Sequence, residues 1–207
     1  MSLPDTGAGP GPGANWELTL SVSTADQTHE LGAALASVLD AGDLLVLTGE
    51  LGAGKTTFTQ GLGEGLGVRS GVISPTFVLV RIHPNLPDGP RPGGPDLVHV
   101  DAYRLGSASE IDDIDLENTM DSAVTVVEWG RGRVEHLSES RLEIDLHRAI
   151  GVPPIAPHAV AGAHEGEPDV LDFDTDIDDE PRTIVMRGFG PRWASSPALG
   201  GTMEGTP

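Results

Sequence analysis

The stretch Gly49-Glu50-Leu51-Gly52-Ala53-Gly54-Lys55-Thr56 constrains this chain more than any other. It fits the pattern G-x-x-x-x-G-K-[ST] of a phosphate-binding loop. The apolar run Asp43–Thr48 before it predicts a short buried strand, and Thr57–Leu62 after it can continue as a helix. Strand, glycine-rich loop and helix in that order are the context the motif requires. Its glycines let backbone N–H groups close around an anion, and the helix adds its positive end. Lys55 is suited to β- and γ-phosphate oxygens, and the Thr56 hydroxyl to Mg²⁺. Lys55 is also the only lysine in the chain. The other basic residues are arginines, whose planar fork does not replace a compact ammonium here.

With 207 residues the chain can bury one full core and carry extensions. The 28 glycines and 17 prolines against 4% aromatic residues predict that part of it lies outside that core. Cysteine is absent, which excludes disulfides, thiolate metal sites and a cysteine nucleophile and is compatible with a cytoplasmic location. Residues 1–14 have neither the basic region nor the apolar core of a signal peptide. No apolar run approaches the ~18–20 residues of a membrane span, so no membrane partner is expected. A net charge of −20 opposes direct binding to nucleic-acid phosphates. Any RNA would have to be held by a partner.

In order, the pattern predicts a Gly/Pro-rich tail over 1–14 and a P-loop domain over 15–148. Trp16–Val22 alternates as a half-buried strand, and Ser23 or Thr24 caps a helix over Ala25–Leu39. Gly65-Leu66-Gly67 closes the P-loop helix. After a Ser74-Pro75 entry, Thr76–Ile82 reads as a strand, and 84–95 as a long exposed hairpin loop. Asp96–Asp101 and Ala123–Glu128 are strands that each end in a carboxylate. Short helices are expected over Ala102–Asp121 and another near Arg133–Leu137. Arg141–His147 reads as a strand. Residues 149–181 carry nine carboxylates and no Lys or Arg, an acidic flexible insertion. The Asp172, Asp174, Asp176 and Asp178 run lacks the glycine and bidentate glutamate of a calcium loop. Residues 182–193 return as a final strand able to pair with Arg141–His147, and 194–207 read as a second tail. The predicted class is α/β: a P-loop NTPase-like, mostly parallel central sheet flanked by helices, with an antiparallel edge hairpin.

A P-loop needs a carboxylate at the end of a neighbouring strand to complete a Mg²⁺ site. Asp101 and Glu128 both have that position, and neither is singled out by spacing. His99 is equally a structural histidine or a site residue, and Trp129 either stacks near the metal or fills the core.

GELGAGKTTF, the Ser74–Phe77 SPTF, the H-x-D-x-Y-R-L of His99–Leu105 and the pair Glu128-Trp129 occur in this order. Together they resemble the TsaE (YjeE) family, the ATPase subunit of the bacterial machinery that makes threonylcarbamoyladenosine in tRNA. The resemblance spans roughly residues 16–147. It implies an ATP- and Mg²⁺-dependent ATPase, weak alone, acting on a TsaB–TsaD assembly and meeting tRNA only through that complex. It further implies that Gly52, Ala53, Gly54, Lys55, Thr56 and Thr57 bind phosphates, with Thr24-Ala25 near the adenine. Thr56 and Glu128 would ligate Mg²⁺, Asp101 would position water, and Ser74–Phe77 would be a switch-like loop. Departures are Gly-Glu at the loop's start where Gly-Asp is commoner, and the extra segments 84–95 and 149–181. A P-loop small-molecule kinase, with Arg131 and Arg133 read as a lid, and a non-catalytic nucleotide-dependent assembly factor are the alternative functions.

Overall fold

Every residue of Ala123–Glu128 is buried, as expected of a strand covered on both faces. This strand, β5, lies inside a mixed sheet of the computed structural model, which describes residues 12–105, 107–112, 114–148, 181–199 and 205–206. The other strands are β1 (Trp16–Val22), β2 (Leu44–Gly49), β3 (Val80–His83), β4 (Asp96–Asp101), β6 (Arg141–Arg148), β7 (Arg182–Phe189) and the two-residue β8 (Gly205–Thr206). Their order is β3-β4-β5-β2-β6-β7-β1-β8. β4, β5, β2 and β6 run parallel. β3 pairs antiparallel with β4, and β7 antiparallel with both β6 and β1. Helices α1 (Ala25–Ala36) and α2 (Lys55–Leu66) and the short α3 (Ala108–Asp112) and α4 (Glu117–Met120) flank the sheet. The fold is the mixed α/β arrangement that the alternation of strands and helices predicts. Among the described residues no helix is long and apolar enough to cross a membrane.

The period of two along each strand divides the core. Leu45 and Leu47 of β2 with Val124 and Val126 of β5 meet Leu31, Leu35, Phe58, Leu62 and Leu66 of α1 and α2. Leu44, Val46, Ala123 and Val127 face the other way, onto Leu105, Ile111, Leu116 and Met120. Each fully buried Leu or Phe side chain contributes about 1.5–3 kcal/mol. Helix α2 is unusual because glycines occupy positions 61, 63 and 65. Each costs about 1 kcal/mol against alanine in a helix interior. The reason is close approach: a Cβ on Gly61 would lie 1.9 Å from the His29 carbonyl oxygen, and one on Gly32 of α1 would lie 2.2 Å from that of Phe58. The two helix backbones touch, so nothing larger than hydrogen fits.

Three local expectations are corrected. Helix α1 ends at Ala36 rather than Leu39, and the chain tightens there, with Leu39 N–H on Ala36 O at 3.3 Å. The strand expected from Thr76 begins at Val80, because Pro75 O accepts from the N–H of both Val78 and Leu79 and closes a turn. Residues 133–137 form turns in place of a helix. The Arg133 guanidinium there donates to Ala102 O (2.7 Å) and Trp129 O (3.3 Å). Segment 84–95 is the mostly exposed hairpin loop expected, joining antiparallel β3 and β4, and it is tied to two helix ends. Its Asn85 side chain donates to Leu66 O at 2.8 Å at the end of α2. Its Arg91 donates to Ala36 O (3.1 Å) and Leu39 O (2.8 Å) at the end of α1. The loop thus satisfies the carbonyls that helix ends leave open. Tail 1–11 and the acidic segment 149–180, with the Asp172–Asp178 run, lie outside the described residues, as does most of the C-terminal tail.

Candidate nucleotide site

Four parallel strands place their C-terminal ends on one edge of the sheet. That edge collects Gly49 from β2, Asp101 from β4, Glu128 from β5 and Arg148 from β6. Because β7 and β3 run the other way, their first residues arrive at the same edge, as does the end of β1 with Thr24. In an open α/β sheet this is where ligands bind. A cavity of about 560 Å³ opens there, lined by Ala25, Gly52, Gly54, Lys55, Thr56, Thr57, Asp101, Glu128 and neighbours from the Ser74–Thr76 turn, Tyr103, Trp129 and Arg182.

The P-loop is built as its glycines predict. Gly52 and Gly54 take φ of 77° and 97°, a region closed to most side chains. Gly54 is the N-cap of α2 and offers no side chain to the first-turn N–H groups, which leaves those donors for a ligand. Lys55 donates to Gly49 O at 2.9 Å and Glu50 O at 3.0 Å, both within its own loop. Its ammonium sits 4.1 Å from the centroid of the Trp129 ring, a cation–π contact. Trp129 reaches that position with φ of 61°, a strained conformation for a bulky residue. Tyr103 meets the same indole edge-on, with centroids 5.4 Å apart. Burial lowers the Lys55 pKa from its ordinary value, against the pull of Glu128, Asp101 and Glu50. A phosphate would reverse that balance.

The carboxylates stand side by side, since Asp101 and Glu128 are register partners of β4 and β5. Each is held by different groups. Glu128 Oε1 lies 2.9 Å from His99 Nε2 and accepts from the Thr56 hydroxyl at 3.2 Å. His99 is wholly buried. It contacts Glu128 from within the sheet. Asp101 Oδ2 accepts from Ser74 Oγ (3.0 Å) and Thr76 Oγ1 (2.7 Å), and its Oδ1 accepts from Tyr103 N–H (3.0 Å). The donor set of Thr56 hydroxyl and Glu128 carboxylate, with Asp101 beside it, is hard oxygen and fits Mg²⁺. Among the described residues no group of three or more His, Cys, Asp or Glu could hold a metal ion. Mg²⁺ is commonly held by one or two protein oxygens together with a substrate's phosphates.

The expected site residues are thus brought together with two exceptions. The Thr24 hydroxyl accepts from Gln27 N–H at 3.1 Å and caps α1, while its neighbour Ala25 lines the cavity. Ala53 is buried in the core, with its N–H on Glu50 O. Arg131 and Arg133 form no lid: Arg131 pairs with Asp145 at 2.5 Å, and Arg133 holds backbone carbonyls. Arg182 lines the cavity without any signal in the sequence, since it follows a long acidic stretch far from the motifs.

Comparison with known proteins bears on this arrangement. The family model described as threonylcarbamoyl adenosine biosynthesis protein TsaE matches residues 22–151. A tRNA threonylcarbamoyladenosine biosynthesis protein TsaE of Streptomyces coelicolor is 49% identical over 169 residues, covering 81% of this chain and 95% of that protein. The Bacillus subtilis protein of the same name is 40% identical, over 60% of this chain and 73% of that one. The crystal structure of YdiB from Bacillus subtilis superposes with a TM-score of 0.55 at 28% identity, covering 84% of this chain and 86% of that one. The P-loop, the paired carboxylates and these likenesses lead to one conclusion: the chain belongs to the TsaE family.

Proposed function

We propose that this chain binds and hydrolyses ATP with Mg²⁺, as the cytoplasmic accessory subunit of the machinery that makes threonylcarbamoyladenosine in tRNA. Its partners are a TsaB–TsaD pair, and tRNA is met through them. The convergence of Lys55, Thr56, Asp101 and Glu128 on one cavity carries the reading. The relatives' assignment to threonylcarbamoyladenosine biosynthesis supports the pathway. The net charge of −20 supports indirect contact with RNA.

The residues divide the work. The N–H groups of Gly52 and Gly54–Thr57 cradle phosphates, and Lys55 exchanges its two loop carbonyls for phosphate oxygens. Thr56 and Glu128 hold Mg²⁺, which neutralises charge on the transferring phosphoryl group when bound. His99 fixes the Glu128 carboxylate. Asp101, steadied by Ser74 and Thr76, positions the attacking water. Little covalent chemistry falls to the protein; positioning and charge do the catalysis.

The test is ATP turnover and tRNA modification measured with and without the matching TsaB–TsaD pair. Slow turnover alone and clear stimulation by the pair are expected. Unchanged turnover together with no complex in gel filtration would sink the proposal.

A further inference from the structure

A nucleoside di- or triphosphate brings several negative charges into a cavity that already contains Asp101 and Glu128. Among its described lining residues only Lys55 and Arg182 are cationic. Arg182 is the first residue of β7 and is 7% exposed. It packs across the P-loop: a Cβ built on Gly54 would lie 3.6 Å from Arg182 Nε and 3.5 Å from Thr28 Cγ2 of α1. The guanidinium therefore sits where the loop meets α1, on the side where Ala25 also lines the cavity. Its register partner across the β6–β7 pair is Arg148. A Cβ on Gly52 would lie 3.6 Å from Arg148 Nη1. Two arginines thus flank the two left-handed glycines of the loop in a chain that is otherwise strongly acidic.

We propose that Arg182 is a nucleotide-binding residue, its guanidinium taking the α- and β-phosphates of ATP or ADP from the α1 side of the P-loop. The planar fork suits two phosphate oxygens at once. Residue 182 lies beyond the 22–151 span that the family model matches, so the cavity is completed by a strand outside that span. The inference rests on the nucleotide reading of the site given above. It adds that binding depends on β7 as well as on the P-loop.

The test uses the full chain and direct binding by calorimetry of ATP, ADP and AMP to the wild type, Arg182→Gln, Arg182→Lys and Lys55→Ala. Circular dichroism and Tm establish that each variant folds. Arg182→Gln should weaken ATP and ADP about tenfold, as expected for a lost charge-assisted hydrogen bond. It should weaken AMP less, and Arg182→Lys should recover part of the loss. A merely structural arginine would move Tm without this dependence on phosphate number. If folded Arg182→Gln binds ATP and ADP like the wild type while Lys55→Ala loses them, the role of Arg182 is overturned and the nucleotide site stands. If Lys55→Ala also binds like the wild type, the nucleotide reading itself falls. Should Arg182→Gln fail to fold, Arg182→Lys decides: about threefold weaker ADP binding supports the inference, and unchanged binding overturns it.

Discussion

The two edges of the central sheet carry charge in opposite ways. At the edge where the parallel strands begin, Arg91 and Arg192 are tied to structural partners. Arg91 donates to the carbonyls of Ala36 and Leu39 and pairs with Asp40 at 3.1 Å. Arg192 donates to Val38 O at 2.7 Å and grips both oxygens of Asp43 at 3.1 Å. Asp43 in turn accepts from Asp40 N–H at 2.8 Å. At the edge where the strands end, Lys55 rests on carbonyls of its own glycine loop, and Trp129 holds a strained backbone beside it. The arginines at the first edge are arranged to stay, whereas the Lys55 ammonium at the second rests on carbonyls it can leave. Structural pairing and the proposed nucleotide site fall at opposite ends of the same strands.

Three substitutions press on this contrast. The largest effect is expected at the exchanging edge. Lys55→Ala should weaken ATP binding about 100-fold, as loss of a buried charge partner does, while Tm holds or rises, because burying that ammonium is itself a cost. A collapse of Tm measured by calorimetry would show that Lys55 is structural and would break the comparison. Arg91→Ala is next, with the reverse signature. It should cost about 1–3 kcal/mol in urea unfolding and leave ATP affinity as it was. Altered affinity with unchanged stability would show that the lower edge reaches the site. The smallest effect is a pH dependence at Asp43. Burial raises its pKa, with Arg192 and the Asp40 N–H opposing. The folded form then holds the proton to higher pH than the unfolded chain. That contribution to stability is fully present below the unfolded value of 3.8 and is lost as pH rises through the folded pKa. Urea midpoints should therefore show the wild type gaining on Asp43→Asn as pH falls from neutrality. A flat difference would mean that the Arg192 pair cancels burial, and a wild type that loses ground would mean that it outweighs burial.

What was legible in the sequence followed from local pattern. The P-loop announces itself because close phosphate contact needs glycines at fixed offsets. Asp101 and Glu128 were legible because each follows an apolar strand, and parallel strands bring such ends together. The β6–β7 pairing was readable from alternation, even across the acidic stretch. Arg182 was not readable, because nothing local tells the first residue of a late strand that it will lie across Gly54. The touching backbones of α1 and α2 were hidden too, since nothing local to Gly32, Gly61 and Gly65 says that two helices meet there. Trp129 shows a third kind of opacity: its left-handed φ depends on the turns that follow β5, where the pattern predicted a helix.

Strand β1 has one long neighbour, β7, with which it pairs from Trp16↔Gly188 to Val22↔Arg182. Glu17 and Arg187 form an ion pair 170 residues apart in sequence. As the chain leaves the ribosome, its first strand therefore has to wait for its last long one. The loop that must close is almost the whole protein, and closing it costs entropy before any contact rewards it. The P-loop and its neighbouring parallel strands, all made earlier, have their partners within reach. Among the long strands described, β1 cannot complete its pairing until residue 188 has emerged, and until β7 arrives the edge of β6 stands open.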